Sequence, residues 1–586
     1  MPGSRRFAVA ILSILATTAP AAAQQPDSAR SDSSGRPILT ATTLKAALDL
    51  IGLSYSDSEL ALLLAPRGQF GNDFTGRGDR RNAYDSIRAV PLGNGDMPAL
   101  FFAPLPPTVP IANRRPHLAA PHKHLKRPAR LEDVAFWPVS DLAELLRTRQ
   151  VTSVELATMF LDWLRRYDAQ LHAVVTLTDS LGLEQARQAD REIASGHYRG
   201  PLHGIPYGVK DLYVVPGYPT TWGAGPYRDQ VIDATATTVR RLEQAGAVLV
   251  AKLSTGALAM GDVWFGGQTR NPWNLAEGSS GSSAGPAAAV SAGLVPFALG
   301  TETLGSIVSP STRTGVTGLR PSFGLVSRAG VMALSWSMDK AGPLCRDAED
   351  CALIFDVLRG ADPADPTTVD VPFPYDARTR LASLRIGYLK SAFDADHRGA
   401  AQDRQVLDVL RGAGAQLIPI ELPRRPTQSL LLILFAEAAA SFDDLTRSGR
   451  DSLLTQQDAG AWPNVFRSAR FIPAVEYLEA NRVRRLLQQD MQALLNGFDV
   501  YVSPAFAGRN LLMTNLTGHP CVAVPDGVLD NGDPASITFC GRMYGEAEAL
   551  EVARAYQEAT AWDERHPEPF GGNTPVVPAP RDSTRQ

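Results

Sequence analysis

Four cysteines in 586 residues are too few for a disulfide scaffold. Cys345 and Cys351 stand six apart, Cys521 and Cys540 stand alone, and no CxxC pair suggests zinc. The nine histidines are scattered, and the one HxH, His122 and His124, falls in a proline-rich basic stretch that reads as solvated chain. Charge of either sign is not in excess. A net charge of −4 and a pI of about 6.2 give no field that would draw nucleic acid or an anionic membrane. After the first residues no apolar run reaches the ~20 positions that span a bilayer; the longest, LLLILFAEAAA, carries Glu437. What remains, 44% apolar and 20% charged residues, is the composition of a globular chain.

The N-terminus is read as an export address. Arg5 and Arg6 precede an apolar run from Phe7 to Leu15, and Ala21-Ala22-Ala23 supplies a small-residue cleavage site before Gln24. Residues 1–23 are therefore expected to be a signal peptide whose removal takes the net charge to −6 and sends the protein to the periplasm or the medium. Residues 24–135 form an N-terminal extension. Leu44, Leu48, Ile51, Leu60, Leu63 and Leu64 have helical spacing, and prolines recur from Pro104 to Pro128 as an extended connector. We expect this segment to dock on a larger neighbour as a cap or strap, because it has too few apolar residues for its own core.

From residue 136 to 568 the chain reads as one large α/β domain, with 569–586 a flexible tail. Thr152 and Glu155 make a capping box. Thereafter helix, glycine turn and strand alternate, as in VRRLEQAGA before VLVAKL and QDRQVLDVLRGAGA before QLIPIEL. That grammar predicts a central sheet, mostly parallel or mixed, covered by helices on both faces.

Within this domain, residues 278–286 read GSSGSSAGP. No Gly-Lys-Ser/Thr is present, so the loop is not a phosphate cradle. A linker is excluded by the buried-looking run from Ala287 to Gly300 and by a second small-residue loop, GTETLGSIVSPS (300–311). Two such loops bracketing one apolar element suit the lips of a site, where backbone N–H groups approach a reacting atom. A serine nucleophile needs a base, and no G-x-S-x-G elbow with a partnering histidine is visible. Lysine can serve if burial lowers its pKa. Lys210, ending the strand-like PYGVK, is the candidate, set against the plainer reading of a strand-end lysine paired with Asp211.

GPLHGIPYGVKD (200–211), GAVLVAKLS (246–254), NPWNLAEGSSGSSAGPAAAVSAG (271–293), ALGTETLGSI (298–307), GVTGLRPSFGLVSRAGV (315–331) and NLTGHPCVAVP (515–525) follow one another in an order that resembles the amidase signature hydrolases. The resemblance runs from about Val151 to Trp562. It implies a Ser–cis-Ser–Lys triad with Lys210 as base, Ser282 as bridge after a cis Gly281–Ser282 peptide, and Ser306 as nucleophile. Ser306 lies 24 positions beyond Ser282, the interval the family keeps. It further implies an oxyanion hole from the backbone N–H groups of Thr303, Leu304, Gly305 and Ser306, and no metal or organic cofactor. The departures are Leu304 in place of a glycine, Val308 in place of an arginine that could brace the loop, and Ser280, Ala284 and Pro286 in place of the usual glycines and serine.

The implied activity is hydrolysis of carbon–nitrogen bonds in small to medium apolar or aryl amides, with peptide C-terminal amides, carbamates or esters as the alternative. A non-catalytic binding module need not keep Lys210, Ser282 and Ser306 together. The family's tRNA-dependent glutamine amidotransferase branch is disfavoured by the signal sequence and the acidic balance. The expected partner is a small amide, with no nucleic acid and no membrane insertion; a homodimer is left open. Residues 430–475, rich in Leu, Phe and Trp, are expected to wall the substrate pocket.

Overall fold

The computed structural model describes residues 39–50, 53–65, 102–121, 125–506 and 509–570, with isolated positions at 86, 89 and 90. The expected signal sequence, Ile51, the HxH pair and the tail beyond 570 lie outside the described residues.

Helices α1 (Ala41–Leu50) and α2 (Asp57–Leu64) form the helical part of the extension. Ser56 caps α2 by accepting from the Glu59 amide, while the Glu59 carboxylate returns to the Ser56 amide. Leu44, Leu48, Leu60 and Leu63 are buried together, with Phe471 of the main domain packed against them. At about 1.5–3 kcal/mol for each buried leucine, this patch holds the pair down. Arg467 adds an ion pair to Glu59 at 2.8 Å. The proline-rich connector is tied at several points along its length. Thr108 donates to Asn496 at 2.6 Å, Arg114 pairs with Asp376 at 2.9 Å, and the His117 amide donates to the Tyr375 carbonyl at 2.8 Å. The Phe102 ring lies 4.6 Å from that of Phe323 and under the Arg484 guanidinium.

The capping box at Thr152 opens α3 (Ser153–Leu171), which ends where His172 turns left-handed. Its face of Leu156, Phe160, Leu161 and Leu164 is buried against the sheet. The strands are β1 (Val174–Leu177), β2 (Pro206–Lys210), β3 (Val248–Leu253), β4 (Phe297–Glu302), β5 (Thr317–Arg320) and β6 (Lys340–Cys345). They continue as β7 (Ile386–Leu389), β8 (Leu417–Ile420), β9 (Val500–Pro504), β10 (Cys521–Val528) and β11 (Pro534–Gly541). All eleven join one sheet in the order β1-β3-β2-β4-β6-β5-β10-β11-β9-β7-β8. The sheet is mixed: β2 pairs in parallel with β3 and β4, and β7 with β8 and β9, while the other six pairings are antiparallel. Strands β2, β3, β4 and β6 are buried along their whole length, which explains their continuous apolar runs.

One apolar core lies between sheet and helices. A second is built by the chain from 430 to 495, including α5 (Leu431–Ser441), α6 (Trp462–Ala469) and α7 (Ala474–Leu495). Between β3 and β4 the short helix α4 (Ala284–Ser291) is buried at every position; in chain order it precedes α5. No helix among the described residues is long and apolar enough to cross a membrane.

Candidate active site

Parallel pairing brings the ends of β2 and β4 side by side. Lys210 closes β2 and is wholly buried. Its Nζ lies 2.8 Å from Ser282 Oγ, 3.1 Å from Ser283 Oγ and 2.9 Å from Thr301 Oγ1. Burial lowers the Lys210 pKa well below its usual value, and the more distant Asp339 and Glu302 carboxylates, which favour the charged form, do not reverse this. Asp211 is not its partner: that carboxylate pairs with Lys252 at 2.8 Å and accepts from the Thr221 amide at 2.9 Å.

The loop before α4 delivers Ser282 to this amine. The Gly281–Ser282 peptide is cis. A Cβ at position 281 would stand 1.9 Å from the Gly261 carbonyl oxygen, so only glycine fits there. Ser283 pins the loop to β4, its hydroxyl donating to the Thr301 carbonyl and accepting from the Thr301 amide, both at 3.1 Å. Its own amide donates to the Ser306 carbonyl at 3.1 Å, which ties the two serine loops together.

Ser306 sits on the turn between β4 and the following helix. Gly305 makes that turn at φ +83°, a left-handed value that a side chain would strain. The N–H groups of Leu304, Gly305 and Ser306 meet no protein acceptor among the described residues. Thr303, the fourth expected member, turns its hydroxyl to Asp339 at 2.5 Å. Leu304 packs its side chain against the second apolar core, so the residue that departs from the family pattern is accommodated.

Sequence reading had not assigned a role to the group that holds this turn. Glu302 is wholly buried; one oxygen accepts the amides of Ile307 (2.8 Å) and Val308 (2.9 Å). The other accepts Arg320 Nη1 at 2.8 Å and Asn515 Nδ2 at 2.7 Å. Burial alone would push this carboxyl up, but the Arg320 guanidinium and the hydrogen bonds outweigh it and bring the pKa down to about 2. Arg320 thus braces the turn from β5 through Glu302, to which Val308 contributes its amide. The signal available in the sequence was a lone acid at the end of an apolar strand, which is costly unless partnered.

A cavity of about 190 Å³ opens beside Thr301 and Thr303. Leu212, Val331, Met332 and Leu334 give it an apolar side, Arg328, Asp339, Lys340 and Asp365 a charged one, and Trp336 lines it with 52% of its surface exposed. None of the lining residues belongs to 430–475. That stretch packs inward instead: Leu431, Ile433, Trp462 and Phe466 are core residues, and the Trp462 ring N–H donates to the Leu258 carbonyl. Among the described residues no group of acids, histidines and cysteines could hold a metal ion.

The model of the Amidase family matches residues 155–516. A glutamyl-tRNA(Gln) amidotransferase subunit from Roseiflexus sp. (strain RS-1) is 36% identical over 478 residues, which are 73% of this chain and 98% of that protein. A native peptide amidase structure from Stenotrophomonas maltophilia is 30% identical with a TM-score of 0.65, covering 76% of this chain and all of the other. A bacterial aryl acylamidase structure, 23% identical with a TM-score of 0.65 and covering 73% of this chain and 97% of the other, is alike in fold. The family match spans both serine loops and the Lys210 strand, and the chain belongs to the amidase signature family.

Proposed function

We propose that this enzyme hydrolyses carbon–nitrogen bonds through an acyl group on Ser306, with Ser282 as proton bridge and Lys210 as base. The observation that carries this reading is the buried Lys210 amine, 2.8 Å from Ser282 Oγ with no ion-pair partner among the described residues. A neutral amine has two N–H groups and one lone pair. Thr301 Oγ1 and Ser283 Oγ accept the two N–H groups, which leaves the lone pair for the Ser282 hydroxyl. Ser282 can then accept the Ser306 proton as it donates its own. Ser306 Oγ attacks the substrate carbonyl, and the oxyanion is met by the N–H groups of Leu304, Gly305 and Ser306, with Thr303 as the remaining expected donor; one such donor is worth about 2.7–4 kcal/mol. The proton returns through Ser282 to the leaving amine. Water then releases the acid by the same route.

The cavity supports apolar or aryl amides of small to medium size as substrates. About 150 Å³ of apolar space holds a benzene ring, and this cavity is larger, with an indole on its wall. Peptide C-terminal amides are the runner-up, supported by the 30% identical peptide amidase. A second reading, service as the glutamine-hydrolysing component of a tRNA amidotransferase, is favoured by the 36% identical relative. The purified chain, assayed alone against anilides, peptide amides and glutamine, separates the three. Ser306→Ala should abolish fluorophosphonate labelling and all amide hydrolysis with the melting temperature nearly unchanged; labelling that persists would refute the nucleophile. We also infer export to the periplasm or medium from residues 1–23. Amino-terminal sequencing of the mature protein should begin at Gln24, and an intact Met1 in exported material would refute that cleavage.

A further inference from the structure

Cys521 and Cys540 take no part in the chemistry above, yet they face each other inside the core. They are direct partners across antiparallel β10 and β11, both buried, with their sulfurs 3.0 Å apart. The register continues on either side: Arg320 of β5 stands opposite Cys521, and Tyr501 of β9 opposite Cys540. Directly opposed residues present their side chains on one face, so Arg320, Cys521, Cys540 and Tyr501 form a row across four strands. Asn510 closes the row, accepting from the Tyr501 hydroxyl at 2.6 Å and donating to Cys540 Sγ at 3.4 Å. At its other end Arg320 holds Glu302 and, through it, the turn that carries Ser306.

We propose that Cys521 and Cys540 are a covalent modification site, closing a cross-strand disulfide when the chain folds in the presence of a disulfide oxidant, either a small-molecule disulfide or a protein of the dithiol–disulfide class. Directly opposed antiparallel residues have Cα atoms ~4.5–5.5 Å apart, inside the ~4.4–6.8 Å that a disulfide accepts. A thiolate is the attacking species in disulfide exchange. Cys540 attacks one sulfur of the oxidant and expels a thiolate; that thiolate takes the Cys521 proton. Cys521 then attacks Cys540 Sγ in the mixed disulfide and expels the second half of the oxidant as a thiolate, which takes from water the proton that Cys540 gave up on ionising. Two protons and two electrons leave the protein and reappear as two oxidant thiols. Because both sulfurs are buried, the exchange belongs to the folding chain or to an opened strand pair, and once closed the bond clamps the strands that carry the Arg320 brace.

The test is to produce the full chain in an oxidising and in a reducing compartment, alkylate both without reduction, and digest. The oxidised product should yield a peptide pair joining Cys521 to Cys540, lighter by two hydrogens than its parts and released by dithiothreitol, while Cys345 and Cys351 are alkylated in both. The linked form should also melt several degrees higher than the reduced form, and Cys521→Ser should lose both the linked pair and the rise. Four alkylated cysteines from the oxidising compartment, or a Cys345–Cys351 link in place of the expected one, would overturn the proposal. Neither readout uses catalytic activity, so failure of the hydrolase reading leaves this test standing.

Discussion

Replacing the Glu302 carboxylate by an amide, Glu302→Gln, should cripple the enzyme from a position that touches no substrate. The carboxylate accepts four hydrogen bonds, from two turn amides, Arg320 and Asn515. A glutamine can offer one oxygen to one pair of donors and must face the other pair with an N–H group, while Arg320 is left buried with an unpaired charge. Two routes give the size of the loss. The fall of the Glu302 pKa from 4.5 to about 2 corresponds to roughly 3 kcal/mol at 1.36 kcal/mol per tenfold step. Breaking a buried ion pair from one side costs about 3–5 kcal/mol. Both fall within a total stability of about 5–15 kcal/mol, so the variant should fold but melt well below wild type. The turn that aims the Leu304 to Ser306 amides loses its anchor, and displacing one oxyanion donor lowers turnover ~10²–10³-fold. The assay is a thermal melt beside the rate of fluorophosphonate labelling. The sign of the pH effect is fixed as well: Glu302 is depressed in the folded state, so its contribution is present above about pH 4.5 and is lost as pH falls towards 2 in wild type, but not in the variant. Wild-type melting and labelling in Glu302→Gln would refute the role of this brace.

Lys210→Ala should cost several kcal/mol of transition-state stabilisation, since base and bridge act as a unit. Because burial depresses the Lys210 pKa and the base must be neutral, wild-type kcat/KM should rise with pH and then level off; a steady fall from about pH 6 to 9 in a folded enzyme would refute a lysine base. Trp336→Ala should raise KM for anilides while leaving the smallest aliphatic amides nearly unchanged, and equal effects on both would remove the indole from substrate binding. Deleting residues 24–135 should lower the melting temperature, because it strips four buried leucines, the Glu59 partner of Arg467 and the ring over Phe323; truncated and full-length chains that melt together would refute docking.

The features legible in the sequence are those set by neighbours along the chain. The Thr152 capping box, the helix before VLVAKL and the buried strand ending at Lys210 depend on spacing alone. Partnerships across strands were not legible. Nothing near Glu302 announces Arg320, which arrives from two strands away, and Cys521 and Cys540 look solitary until register sets them opposite. The apolar stretch from 430 to 475 shows the same limit: it lies one layer behind the cavity and lines none of it. Hydrophobicity says that a segment is buried but not what it is buried against; here α5, α6 and α7 pack on one another and on the back of Leu212, Met332 and Leu334, whose front lines the cavity.

The strap described for residues 39–121 sets the order in which the molecule can be completed. Its anchors named among the described residues are encoded far downstream: Glu349 for Ala119, Tyr375 and Asp376 for His117 and Arg114, Arg467 and Phe471 for the α1–α2 pair, Asn496 for Thr108. These residues leave the ribosome before the surfaces they dock on. Contacts of such long sequence separation form late and slowly. The segment therefore stays without these partners until they have been made.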